Sequence, residues 1–243
     1  MKRICLACAI LAVLALPAFA GPPYVSDDPE PTDYKHFEIY AFSNGTITQA
    51  GTSGEAGFDF NYGGAPDLQL TATLPANFTR PSGGKTSVGA GNIELAAKYR
   101  FLNQATFGLD VAFFPRIFLP SGSSNIGDNR ASLLLPLWVQ KDWGNQWSTF
   151  GGGGCVIGSQ SSQDFCEMGG VLTYQVLPKL QIGFELFHQS ADGSGTPATS
   201  SFGVGVKYDL NDSYHLLAYV RRGIQNTDET DQFSWYTSVL FTF

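Results

Sequence analysis

Positive charge is scarce in this chain. Lys and Arg number 14 against 21 Asp and Glu, a formal net charge of −7. That balance excludes a nucleic-acid surface, which needs a basic patch, and it opposes attachment to anionic lipid headgroups. Cysteine is scarce too. There are four, and Cys5 and Cys8 lie at the extreme N-terminus. The remaining pair, with the scattered His36, His188 and His215, does not make a metal site. The GGGG run at 151–154 is followed by no GKS or GKT, so it is no phosphate loop. No cofactor is expected. Beyond residue 20 no stretch is apolar enough for a membrane helix. A transmembrane barrel is not excluded by that, because its lipid-facing and lumen-facing residues alternate and average out.

The first 20 residues, MKRICLACAILAVLALPAFA, have the parts of an export signal. Lys2 and Arg3 form a basic start, Ile4 to Leu16 an apolar stretch too short to span a bilayer comfortably, and Ala18-Phe19-Ala20 a small-x-small cleavage site. Cys8 is a poor lipidation site, since Cys5 stands where a lipobox wants Leu. Cleavage is expected after Ala20, giving a signal at 1–20, a Pro- and acid-rich periplasmic segment at 21–34, and one domain over 35–243. Export leaves Cys155 and Cys166 in an oxidising compartment.

Period-two alternation dominates what remains. In GNIELAAKYRFL, Ile93, Leu95, Ala97, Tyr99 and Phe101 oppose Asn92, Glu94, Ala96, Lys98 and Arg100. Phe202, Val204, Val206 and Tyr208 oppose Gly203, Gly205, Lys207 and Asp209 in the same way. Such patterns mark strands half exposed to an apolar medium. They fall near 35–43, 55–63, 67–76, 90–102, 105–119, 130–143, 146–159, 164–177, 179–190, 199–210, 213–224 and 232–243. Twelve is an even number, as single-chain outer-membrane barrels have; ten is also compatible. The connections alternate in length. GGAP, LNQ, WGNQ, LPK and LNDS are short, whereas the stretches at 43–54, 76–89, 120–129, 159–163, 191–199 and 224–231 are longer. Short periplasmic turns and long extracellular loops give that rhythm.

The last strand, SWYTSVLFTF, alternates fully and ends on Phe243. It is expected to close the barrel, with Trp235, Thr237, Val239, Phe241 and Phe243 toward outer-membrane lipid. Such a strand also suits recognition by the outer-membrane assembly machinery. Trp143 and Trp147 flank an expected periplasmic turn, where an interfacial aromatic girdle belongs.

The register turns charges of both signs inward. Glu94, Lys98, Arg100, Asp110, Arg116, Glu185, Lys207 and Arg221 are the candidate lumen-lining residues, alongside aromatic residues such as Tyr40, Phe42, Phe114, Tyr219 and Tyr236. These charges either brace the wall in pairs or line a polar path that selects solutes. The leading reading is passive uptake of a small, part-apolar solute. The alternative is a non-conducting structural or adhesive barrel whose loops bind a partner. Enzyme chemistry is not expected. The only catalytic pattern to weigh is His188-Gln189-Ser190 near a loop, where base and nucleophile would have to come within hydrogen-bond reach.

GPPYVSDDPEPTDYKHFEIY at 21–40, PDLQLTATLP at 66–75 and VGAGNIELAAKYRFL at 88–102 resemble the phenol meta-pathway degradation family of outer-membrane proteins. The resemblance extends from about Gly21 to the C-terminus. It departs at Asn92, where that family usually carries Asp. It implies a β-barrel that helps small, often aromatic, compounds cross the outer membrane, and no enzyme of phenol degradation. Residues 21–34, with Pro22, Pro23, Pro29 and Pro31 among Asp27, Asp28 and Glu30, read either as a hydrated periplasmic lead-in or as a segment tucked into the lumen.

Cys155 and Cys166 flank SQSSQ on neighbouring strands, so antiparallel pairing brings them opposite each other as a structural disulfide. Reduction and alkylation of the mature protein should therefore add two adducts that are absent without reduction; a mass shift of zero contradicts the bond.

Overall fold

The structure is a computed structural model that describes residues 23–124, 126, 130–158 and 163–243. The signal at 1–20 lies outside the described residues, as do parts of the connections at 120–129 and 159–163. The elements in chain order are β1 (Phe37–Thr48), β2 (Gly51–Ala65), β3 (Leu68–Pro81), β4 (Ser87–Ala90), β5 (Glu94–Leu102), α1 (Gln104–Phe107), β6 (Asp110–Phe113) and β7 (Arg116–Phe118). There follow β8 (Ser132–Gly144), β9 (Trp147–Gly158), β10 (Phe165–Leu177), β11 (Leu180–Gln189), β12 (Thr199–Asp209), β13 (Tyr214–Gly223) and β14 (Phe233–Thr242). β4 and β5 both pair with β3, and β6 and β7 both lie between β5 and β8. Each couple is one interrupted wall strand. The sheet is therefore a closed, antiparallel barrel of twelve strands. β14 closes it on β1, in register from Glu38↔Thr242 to Ile47↔Phe233.

Three local expectations are corrected. The stretch at 43–54 is no loop: β1 and β2 stay paired out to Thr48↔Gly51, leaving only Gln49 and Ala50 as a turn. Its Gly, Ser and Thr residues weaken the apolar alternation, but their backbone groups still pair. The stretch at 76–89 likewise continues as β3 and β4, in register from Ala76↔Ala90 to Thr79↔Ser87. The expected strand at 105–119 opens instead as the helical turn α1. Asn103 caps it by accepting from Ala105 N, and Gly108 ends it in the left-handed region at φ 81°. Pro115 then breaks the wall strand into β6 and β7, since it has no N–H to give to the ladder.

Sidedness follows the alternation. Phe58, Leu74, Tyr99, Phe184, Phe202 and Val220 point outward and are exposed, whereas Trp138 and Glu185 on the inner face are each 1% exposed. An exterior this apolar is stable only against lipid, at about 25 cal/mol per Å² removed from water. Both termini of the barrel lie at one end, called here the terminal end. There Phe37 stacks on Phe243 at 5.6 Å, Trp147 packs on Tyr174 at 4.5 Å and Tyr214 meets Phe241 at 5.3 Å. Trp143 stands exposed at the same rim. This is a girdle at the level where lipid meets water. At the other end, the loop end, Cys155 and Cys166 are paired in register and joined in a disulfide on the outer face.

Val204 and Val220 are neighbours midway along adjacent strands, both facing out. Val204→Arg should cost about 2–4 kcal/mol of unfolding free energy in lipid, and Ile47→Arg near the loop end only about 0–1. Urea titrations in lipid vesicles check this; equal costs at the two depths contradict a lipid-facing wall.

Candidate functional site

The inner face is not empty. Residues 23–33 enter the barrel from the terminal end and lie along its axis. Thr32 is held first, its N–H and hydroxyl both donating to Gln69 Oε1 at 2.9 and 3.1 Å. Lys98, buried on β5, donates to Asp27 Oδ1 at 3.1 Å and to the Glu30 carbonyl at 3.3 Å, with Asp28 3.8 Å away. Its ammonium also sits 4.9 Å from the centre of the Phe114 ring. Deepest is Glu185. Its carboxylate accepts from Val25 N at 3.2 Å, from Ser26 N at 2.6 Å and, by a short bond, from the Tyr219 hydroxyl. Three donors on one buried carboxylate leave it satisfied, which burial of a charge requires.

Glycine makes the room. A Cβ on Gly183 or Gly205 would collide with Tyr24, and one on Gly169 with Ser26 Oγ. Tyr24 thereby packs edge-on against Phe150 and Tyr219, with ring centres at 5.8 and 5.5 Å. The glycine-rich strands β9 to β12 thus form the thin part of the wall against which the segment lies.

The candidate lumen residues separate into three groups. Glu94 and Arg116 form a two-pronged pair at 2.6 and 3.0 Å across β5 and β7, and Arg221 reaches Asp231 at 2.5 Å. Those three and Lys98 line the open part of the lumen. Arg100 and Asp110 instead brace the terminal rim. Arg100 holds Asp67 at 2.7 Å and stands 3.6 Å from Asp110, which also accepts from Gln104 N. Glu185 anchors the segment, and Lys207 is buried on β12 away from the open space. Sequence reasoning missed Glu55, which shares its inward face with Asp59 and lines the open space. It also left Tyr24, Ser26 and Thr32 unassigned, because the contacts of the segment are largely through its own backbone.

Beside the segment, from the level of Gln69 and Glu38 toward the loop end, runs a cavity of about 310 Å³. Tyr24 and Phe114 border it, and its far wall is β14–β1–β2, carrying Tyr40, Phe42, Glu55, Asp59 and Tyr236. Its lining mixes charged and amide side chains with aromatic rings. The His188–Ser190 pairing does not form. His188 Nδ1 meets Ser200 Oγ at 2.8 Å on the outer face, while Ser190 Oγ accepts from Cys166 N and donates to the Ala191 carbonyl. Among the described residues no group of three or more His, Cys, Asp or Glu could hold a metal ion.

No protein-family model matches the chain, and no curated protein matches it in sequence. Solved structures do match in shape. A COG4313 outer membrane channel from Pseudomonas putida F1 superposes with a TM-score of 0.63 at 18% identity, covering 88% of this chain and 99% of that one. A KdgM porin gives 0.60 at 13% identity over 85% and 99%. The CymD monoaromatic hydrocarbon channel gives 0.50 at 11% identity over 86% and 88%. At these identities the likeness is one of fold.

Glu185 is the deepest anchor of the segment. Glu185→Gln keeps the shape but weakens three charge-assisted bonds, each worth about 1.5–3 kcal/mol. Ion conductance of the folded variant in planar bilayers should rise several-fold over the unaltered protein. Unchanged conductance contradicts the anchoring role.

Proposed function

We propose that the chain is an outer-membrane barrel that admits small, part-apolar solutes passively. The observation that carries this reading is the lumen cavity, where paired charges and aromatic rings face the same space. A purely structural barrel has no need of an inner surface of that mixed kind. A site with fixed charges and apolar walls selects by charge and size while holding solute weakly enough to release it. The fold supports the reading, since the matching structures are described as outer membrane channels and porins. That one of them is a monoaromatic hydrocarbon channel agrees with the family resemblance of the chain. The non-enzymatic part of the reading is supported by the matching structures being channels and porins. In the same reading the chain is exported, cleaved after Ala20, and inserted by the assembly machinery through the strand ending at Phe243.

One observation favours a second reading. Residues 23–33 occupy part of the lumen and are anchored at Gln69, Lys98 and Glu185. If that segment never yields, the barrel is a closed structural or adhesive body. The two readings differ in one measurable respect. In planar bilayers the folded protein should conduct in small discrete steps that an added aromatic solute interrupts, and removal of residues 23–33 should enlarge the steps. Silence from both proteins, each shown to be folded, overturns the solute path.

A further inference from the structure

The cavity has a sign. Resting on the reading of the lumen as a solute site, we propose that it binds an organic ammonium: a small solute with a protonated amine and an apolar, ring-sized body.

The first observation is an accounting of charge. Three cations line the cavity, and each is already engaged: Lys98 with Asp27 and Asp28, Arg116 with Glu94, Arg221 with Asp231. Three carboxylates that line it have only neutral donors among the described residues. Glu38 accepts from the Tyr40 hydroxyl at 3.3 Å, Glu55 from Asn44 Nδ2 at 3.0 Å and Asp59 from Thr73 Oγ1 at 3.3 Å. An entering anion would find no unengaged lining cation and three carboxylates. An entering ammonium meets three carboxylates that no cation hydrogen-bonds among the described residues, Lys98 and Lys207 acting on Glu38, and Arg116 on Glu55 and Asp59, only through space.

The second observation is where those carboxylates stand. On β2, Glu55, Gly57 and Asp59 face inward in succession, opposite Asn44, Phe42 and Tyr40 of β1. Same-face neighbours on a strand lie about 7 Å apart. A Cβ on Gly57 would collide with the Leu74 backbone of β3, so no side chain stands between the two carboxylates, and the Phe42 ring lies opposite that position. Phe42 stacks on Tyr236 with ring centres at 6.3 Å and planes 12° apart. Aromatic faces carry negative charge density and attract cations, so rings set between carboxylates favour an ammonium with an apolar body. A cavity of about 310 Å³ is at the small end for ligand sites and suits a single ring with a short chain.

The test uses three probes that differ only in the head group: 2-phenylethylammonium, 2-phenylethanol and phenylacetate. Each is titrated calorimetrically into the folded mature protein in detergent. The ammonium should bind about tenfold or more tighter than the alcohol, a difference that the carboxylates supply, and phenylacetate should bind weakest. Glu55→Gln with Asp59→Asn should abolish the preference, while Glu229→Gln in an exterior loop leaves it. Where the double variant does not fold, the two single variants are measured, and each should lose part of the preference. Phenylacetate binding as tightly as the ammonium overturns the proposal. So does a preference that survives in folded Glu55 and Asp59 variants, which marks attraction to the acidic surface alone. Ammonium binding without bilayer conductance keeps this site and removes the solute path; conductance without ammonium preference removes the site and keeps the path.

Discussion

Closure of the sheet is the constraint on which the rest depends. Once β14 pairs with β1 along ten residue couples, the sheet closes into a ring. Each strand residue then has only two destinations. In a medium without water, backbone groups must pair within the sheet, so a closed barrel is one of two structures that can span it. The outer face is accordingly written in Phe, Leu, Val and Tyr. The inner face, denied to lipid, is where charge, hydroxyl and amide accumulate. How that inner face is filled decides what the barrel can admit.

Part of it is filled by the chain itself. A segment with Pro23, Pro29 and Pro31 has few conformations to lose, so ordering it costs less than ordering an ordinary eleven-residue stretch. Its backbone cannot pair with the closed sheet. It pairs instead with inward side chains: Gln69 takes Thr32, Lys98 takes Glu30, and Glu185 takes Val25 and Ser26. The acids that hydrate this segment in an unfolded chain become the partners of Lys98 in the folded one. The same wall that carries Glu185 carries Gly183, and the facing strand carries Gly205, so anchor and clearance come together at Tyr24.

Much of this architecture was legible in the sequence because alternation is a direct signature of a two-sided wall. From β8 onward the expected strands lie within about two residues of those observed, the ordinary uncertainty of an element's end. Legibility failed where alternation and pairing part company. Between residues 43 and 54 the apolar signal fades into Gly, Ser and Thr, yet the ladder continues, because backbone pairing does not require an apolar face. At Asn103 a single capping side chain turns the chain into a helical turn inside a stretch that otherwise alternates. Lumen charges were readable by parity, and Glu94, Lys98, Arg116, Glu185 and Arg221 all face inward. What parity does not report is pairing. Nothing in the sequence distinguishes Arg116, engaged with Glu94, from Glu55, which accepts from the neutral amide of Asn44. The seat of residues 23–33 was equally hidden, since Pro and Asp serve a hydrated tail and a lumen segment alike.

The account turns on that segment being inside. Its most direct test is the chemical accessibility of position 26, where Ser26 is fully buried beside Gly169. Ser26→Cys in the folded protein should resist a bulky water-soluble maleimide and react only after heat unfolding, while Glu229→Cys in an exterior loop reacts at once. Equal labelling rates at the two positions would place the segment outside the barrel and contradict the account.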